Sequence, residues 1–220
     1  MVKLRLVLLS LVSVVCCFEL ALSDVLIEPY AGYGMGKIKF ISVAGLSGSE
    51  WSASGFALGG RLSFAVPMLF FALDYNTEVG TGKRTSPSSL DSDLAGSSLY
   101  LLMGMEVPRL RGWLGYGLMQ ETIFKSVPGV GDMTATGSGL KAGVSYTGFS
   151  FMALNFEYVR ESFLAIKMGA REVNVDGTAD IFRLSVSVPI TLLTTSSDGA
   201  SSSGAGGVSG GESGGESGGE

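Results

Sequence analysis

The chain has no histidine among its 220 residues. That removes the usual general base, the commonest metal ligand and the Ser-His nucleophile arrangement. Its only two cysteines, Cys16 and Cys17, lie in an N-terminal leader, so the chain beyond it has neither a disulfide nor a thiol site. Charged residues make up only 16%, and the net charge of -5 argues against nucleic acid as a partner. The sequence is nonetheless 46% hydrophobic, without an internal apolar run long enough for a membrane helix. Such hydrophobicity must be distributed along the chain, as it is in a membrane β-barrel whose strands alternate.

The leader carries Lys3 and Arg5 ahead of an apolar run from Leu6 to Phe18, followed by Ala21-Leu22-Ser23. This is the pattern of a secretory signal, with cleavage expected after Ser23. Three regions follow: residues 1–23 as signal peptide, 24–193 as the barrel, and 194–220 as a tail. The tail contains GGESGGESGGE, whose Gly, Ser and Glu cannot bury a core, so it is expected to be disordered.

The clearest strand signal is GFALGGRLSFAVPMLFFALDYNTE, residues 55–78. Phe56, Leu58, Leu62 and Phe64 share one parity, and Ala57, Gly59, Arg61, Ser63 and Ala65 the other. Beyond Val66-Pro67-Met68 the alternation resumes, with Leu69, Phe71, Leu73 and Tyr75 opposite Ala72, Asp74 and Asn76. Period two means a sheet with unlike faces. If Val66 pairs with Leu69, then Arg61 faces Asp74 while Phe64 meets Phe71, so one register satisfies both faces.

The same alternation marks six further strands, near Leu26–Lys37, Ser97–Val107, Gly112–Glu121, Gly139–Tyr146, Phe149–Arg160 and Asp180–Val188. The connections between them alternate long and short, with long ones expected over 42–53, 80–96, 125–138 and 162–179. This predicts an all-β fold, an eight-stranded antiparallel up-and-down transmembrane barrel with both termini on one side. The loops around Ser47, Ser88, Gly131 and Gly169 are expected outside, and Pro67, Arg109 and Gly148 on the periplasmic side. The large parity is apolar, as lipid contact requires. The small parity carries the candidate lumenal charges Glu28, Arg61, Asp74, Glu106, Glu121, Lys141, Glu157 and Arg183, read as a structural network.

The signal peptide, EPYAGYGMG at the first strand, eight alternating segments and asymmetric loops together resemble the small outer-membrane barrels of the OmpA transmembrane-domain, OmpX and OmpW type. The resemblance covers Val25 to about Leu192. It implies residence in the bacterial outer membrane with periplasmic termini, lipid and lipopolysaccharide as surroundings, and the barrel-assembly machinery as a folding partner. Such barrels commonly end at an aromatic residue, whereas here the last strand runs into VPITLL and a tail.

No catalytic, cofactor or metal site is expected. A carboxylate pair such as Glu106 and Glu121 has the groups for acid-base work, but lumenal charges ordinarily satisfy one another. GTGK at 80–83 lacks the phosphate-loop spacing, and GYGMG at 32–36 has no helix after it. Two functional classes remain. One is a non-enzymatic monomer, structural or interacting with an extracellular ligand through its loops. The other is a narrow pore or passage for small solutes, apolar ones included. Side chains fill an eight-stranded interior, which favours the first.

Overall fold

The computed structural model describes residues 24–42, 48–66, 68–86, 89–127 and 131–194. The stretch expected to be a signal peptide, nearly all of the expected tail, and Ser47, Pro67 and Ser88 lie outside the described residues. Alternation of side-chain size builds antiparallel strands: β1 (Asp24–Ser42), β2 (Ser49–Val66), β3 (Leu69–Ser86), β4 (Leu90–Val107), β5 (Leu110–Val127), β6 (Gly131–Tyr146), β7 (Ala153–Met168) and β8 (Arg171–Ser187). A short β9 (Ile190–Thr194) continues along β1 beyond Pro189, which takes the strand one residue past the expected end of the barrel at 193.

Each strand pairs with the next, and β8 pairs with β1, so the sheet closes. The register can be followed round the wall. Glu28 pairs with Arg61, Arg61 with Asp74, Asp74 with Tyr100, Tyr100 with Gly117, Gly117 with Gly139, Gly139 with Glu161, Glu161 with Ala179, and Ala179 with Ile38. The circuit returns to β1 ten residues beyond its start. With eight strands that stagger sets a tilt of about 40° and a rise along the axis of about 2.5 Å per residue.

The strands are longer than the sequence suggests. The segments read as long loops are strand: β3 runs to Ser86 and β4 starts at Leu90, while β7 and β8 are separated only by Gly169-Ala170. The expected alternation of long and short loops is therefore absent. What distinguishes the two ends is polarity. In the lower part of each strand, large apolar residues face outward: Ile27 to Met35 on β1, Phe64 to Phe56 on β2, Val188 to Phe182 on either side of the β8 terminus. This band is about 20–25 Å tall, the height of a lipid-facing girdle. Above it the pattern inverts on the same parity. Lys37 and Lys39 point outward and Ile38 and Phe40 inward; Ser52 and Lys83 are exposed while Trp51 is sealed inside. The upper end thus has the apolar interior and polar exterior of a barrel in water.

Close strand approach in this region needs glycine. Gly55 and Gly80 are cross-strand partners. A Cβ on Gly55 would lie 2.5 Å from the Val79 carbonyl oxygen and 2.8 Å from the Gly80 Cα, both backbone atoms that cannot swing away. Gly55→Ala is expected to destabilise the barrel by about 1–3 kcal/mol, the cost of overpacking. A denaturant midpoint equal to that of the wild type would show that the wall yields there.

Candidate functional site: a closed, ion-paired lumen

The lumen holds two stacked layers. The lower one is ionic. On β2, Arg61 sits at the hub with its Nε 3.2 Å from Asp74, its Nη1 3.3 Å from Glu28 and its Nη2 3.0 Å from Glu157. Lys141 Nζ bridges Asp74 at 3.1 Å and Glu157 at 3.2 Å. Arg183 joins Glu157 at 3.3 Å and also pairs with Glu78. Toward the lower mouth, Arg111 links Glu28 at 2.9 Å to Glu106 at 3.0 Å. The Tyr30 hydroxyl donates to Asp74 at 2.7 Å, and the Trp113 ring lies 4.4 Å from the Arg61 guanidinium. Arg61, Asp74, Lys141 and Glu157 are each at most 1% exposed. Pairing on several sides offsets the large cost of burying these charges.

The upper layer is apolar. Ile38, Phe40, Trp51, Phe124, Met133, Phe163 and Ile166 form one buried cluster across the lumen. Phe40 stands 5.8 Å from Phe124 and 5.6 Å from Phe163, and Trp51 stands 5.2 Å from Phe124, ring centre to ring centre. Here inward apolar side chains lie beyond the lipid-facing band, so water outside the wall drives their burial.

Of the eight charges read from the sequence, the structure brings Glu28, Arg61, Asp74, Lys141, Glu157 and Arg183 into one network and puts Glu106 at its lower end. Glu121 is a correction. An extra residue on β5 at Leu118-Met119 breaks the register between Gly117 and Gln120, so lumenal parity passes from odd to even numbers. Gln120 is sealed inside, and Glu121 pairs with Ser97 on the outward parity. Glu106 and Glu121 are therefore not brought together, and Glu106 is held by Arg111. Sequence reasoning missed Arg111, which it placed in a turn, and Glu78 and Glu161, which lie at or beyond the expected strand ends. Continuing the parity of β3 and β7 by one or two steps would have found both. Among the described residues no group of three or more potential ligands could hold a metal ion through acidic, histidine or cysteine side chains alone.

No protein-family model matches the chain, and no curated protein matches it. Solved structures do align. Neisserial surface protein A is 20% identical, with 74% of this chain and 96% of that one covered and a TM-score of 0.48. The attachment invasion locus protein Ail of Yersinia pestis, in complex with the heparin analogue sucrose octasulfate, is 15% identical over 76% and 99% of the two chains, also at 0.48. OprG of Pseudomonas aeruginosa is 12% identical over 77% and 97%, at 0.46. Independently of these likenesses, the closed eight-stranded antiparallel wall with its outward apolar band is the architecture of small outer-membrane β-barrels.

Proposed function

We propose that this chain is a non-enzymatic outer-membrane barrel that conducts no solute and presents its upper rim to an extracellular partner. One observation carries the reading: the lumen is filled twice, by ion pairs within the membrane-level wall and by aromatic and aliphatic side chains above it. A passage would have to break both layers. The outward face above the apolar band carries Ser52, Thr81, Lys37, Lys39 and Lys83, a surface of hydroxyls and charges at the level of lipopolysaccharide headgroups. The strands that project beyond the lipid hold this rim rigid. Both termini then lie in the periplasm, at the end bearing the turns at Arg109 and Gly148.

Purified protein in planar bilayers is expected to show no steady conductance; sustained single-channel openings would favour the passage reading instead. Orientation has its own check. A cysteine at Ser89, exposed beside the β3–β4 turn, should react with an impermeant maleimide on intact cells. One at Ser150, exposed in the β6–β7 turn, should not. The opposite labelling pattern would invert the topology, and recovery in the soluble periplasm would remove the membrane reading.

A further inference from the structure

Between the ionic and apolar layers the lumen keeps a cavity of about 50 Å³. Most of its wall is glycine, from Gly34 on β1 to Gly96 on β4, together with aliphatic side chains such as Ile38, Leu94 and Ile181. Glu161 brings a carboxyl group into this setting and is only 5% exposed. Every other lumenal carboxylate described above has an arginine or lysine. Glu161 has none among the described residues. Its hydrogen-bond partner is the Tyr100 hydroxyl, donating at 3.5 Å.

The surrounding strands offer no counter-charge. On β6 and β8 the cross-strand partners of Glu161 are Gly139 and Ala179. Along β7 the adjacent lumenal side chains are Val159 and Phe163, and Glu157 below them is held by Arg61, Lys141 and Arg183. β3 brings Glu78 to the cavity, already taken by Arg183. β5 brings Glu121 to its border from the outward parity, and β4 brings the Tyr100 hydroxyl to Glu161. β1 and β2 bring no titratable group to the cavity. The nearby carboxylates therefore oppose a negative charge on Glu161, while the nearby cations are committed to other partners. Arg160 and Ser162, which flank Glu161 on the outward face, are both exposed, so this level stands above the lipid-facing band.

A buried carboxyl group without a counter-charge favours its neutral form. Burial pushes the Glu161 carboxyl above the ordinary carboxylate range, and the Tyr100 hydrogen bond offsets part of that rise. We propose that Glu161 is a proton-binding switch set between the two lumenal layers: protonated, it lets them close on each other, and ionised, it draws water into the cavity and loosens the barrel. The unfolded chain gives up this proton in the ordinary carboxylate range, whereas the folded barrel holds it to higher pH. The stability that the held proton supplies is complete below the ordinary range and is lost as pH rises toward neutrality and beyond. With no histidine in the chain, no other side chain ordinarily changes charge between about pH 5 and 8.

The test is reversible denaturant unfolding of the protein refolded in detergent, at about pH 5 and about pH 8. The wild-type unfolding equilibrium constant should rise about tenfold or more from the lower pH to the higher. Glu161→Gln keeps the shape of the neutral acid and cannot ionise. Its constant should change by less than about twofold, and at the higher pH it should be more stable than the wild type, a gain that loss of a merely structural contact would not give. Glu172→Gln, at the exposed rim, should keep the wild-type rise. A wild type whose stability does not fall with pH would overturn the proposal. So would a Glu161→Gln variant that keeps the full rise, or one less stable than the wild type at both pH values. The wild-type measurement decides the matter even if the variant does not fold.

Discussion

Replacing Asp74 with alanine should lower the unfolding free energy of the refolded barrel by about 3–5 kcal/mol, the usual cost of removing one partner from a buried ion pair. Asp74 is fully buried and receives Arg61, Lys141 and the Tyr30 hydroxyl together. Its loss strands two cations in a lumen packed on every side. Arg61→Ala should also be severe, since Glu28, Asp74 and Glu157 all lean on that guanidinium. The double variant should lose less than the two singles together, by about 1 kcal/mol or more, because removing both members leaves fewer stranded charges. Denaturant titrations followed by tryptophan fluorescence give all three values. Strictly additive losses would show that the two side chains do not interact.

Trp51→Ala should cost about 3–5 kcal/mol, the range for emptying a large aromatic site in a core. Trp51 is completely buried above the lipid-facing band, packed on Phe124 and within the cluster of Phe40 and Phe163. Phe56→Ala makes the contrast: that ring is 66% exposed on the outward face, where acyl chains replace its contacts. A loss below about 1 kcal/mol at Trp51 would mean that its neighbours close over the gap at almost no cost. Trp51 and Asp74 lie in separate layers, with the cavity between them, so their losses should add.

The lower half of the barrel was legible because its two faces differ in size and polarity at once. In the β2–β3 hairpin the period-two pattern gives Val66 opposite Leu69 and Arg61 opposite Asp74, the pairs the structure contains. The upper half was not legible as strand. There Gly80, Gly82, Lys83, Ser86 and Asp91 look like loop composition, and the polarity signal reverses as the wall leaves the lipid. A rule that expects large apolar residues outside stops at Lys37, although Ile38 and Phe40 keep the alternation going. Glu121 failed for a different reason. One inserted residue changes parity for the rest of a strand, and nothing in Leu118-Met119-Gln120 announces where it sits. The ion network was partly visible because lumenal charge is rare and conspicuous among glycine, serine and alanine. Arg111 stayed hidden in a turn that composition extended two residues too far, since β5 starts at Leu110.

Closure of the wall by β1 and β8 has a bearing on biogenesis. Tyr30 meets Ser187 and Phe40 meets Gly177, so the seam joins the first and last long strands of the wall. A chain stopped after β7 would carry two raw margins, along β1 and along β7, with rows of N–H and C=O groups facing acyl chains. No shorter array of these strands escapes that penalty, so partly made or truncated copies should be degraded rather than accumulate as smaller barrels. Quality control of this protein then reduces to a single question asked as the wall closes: whether β8 has found β1.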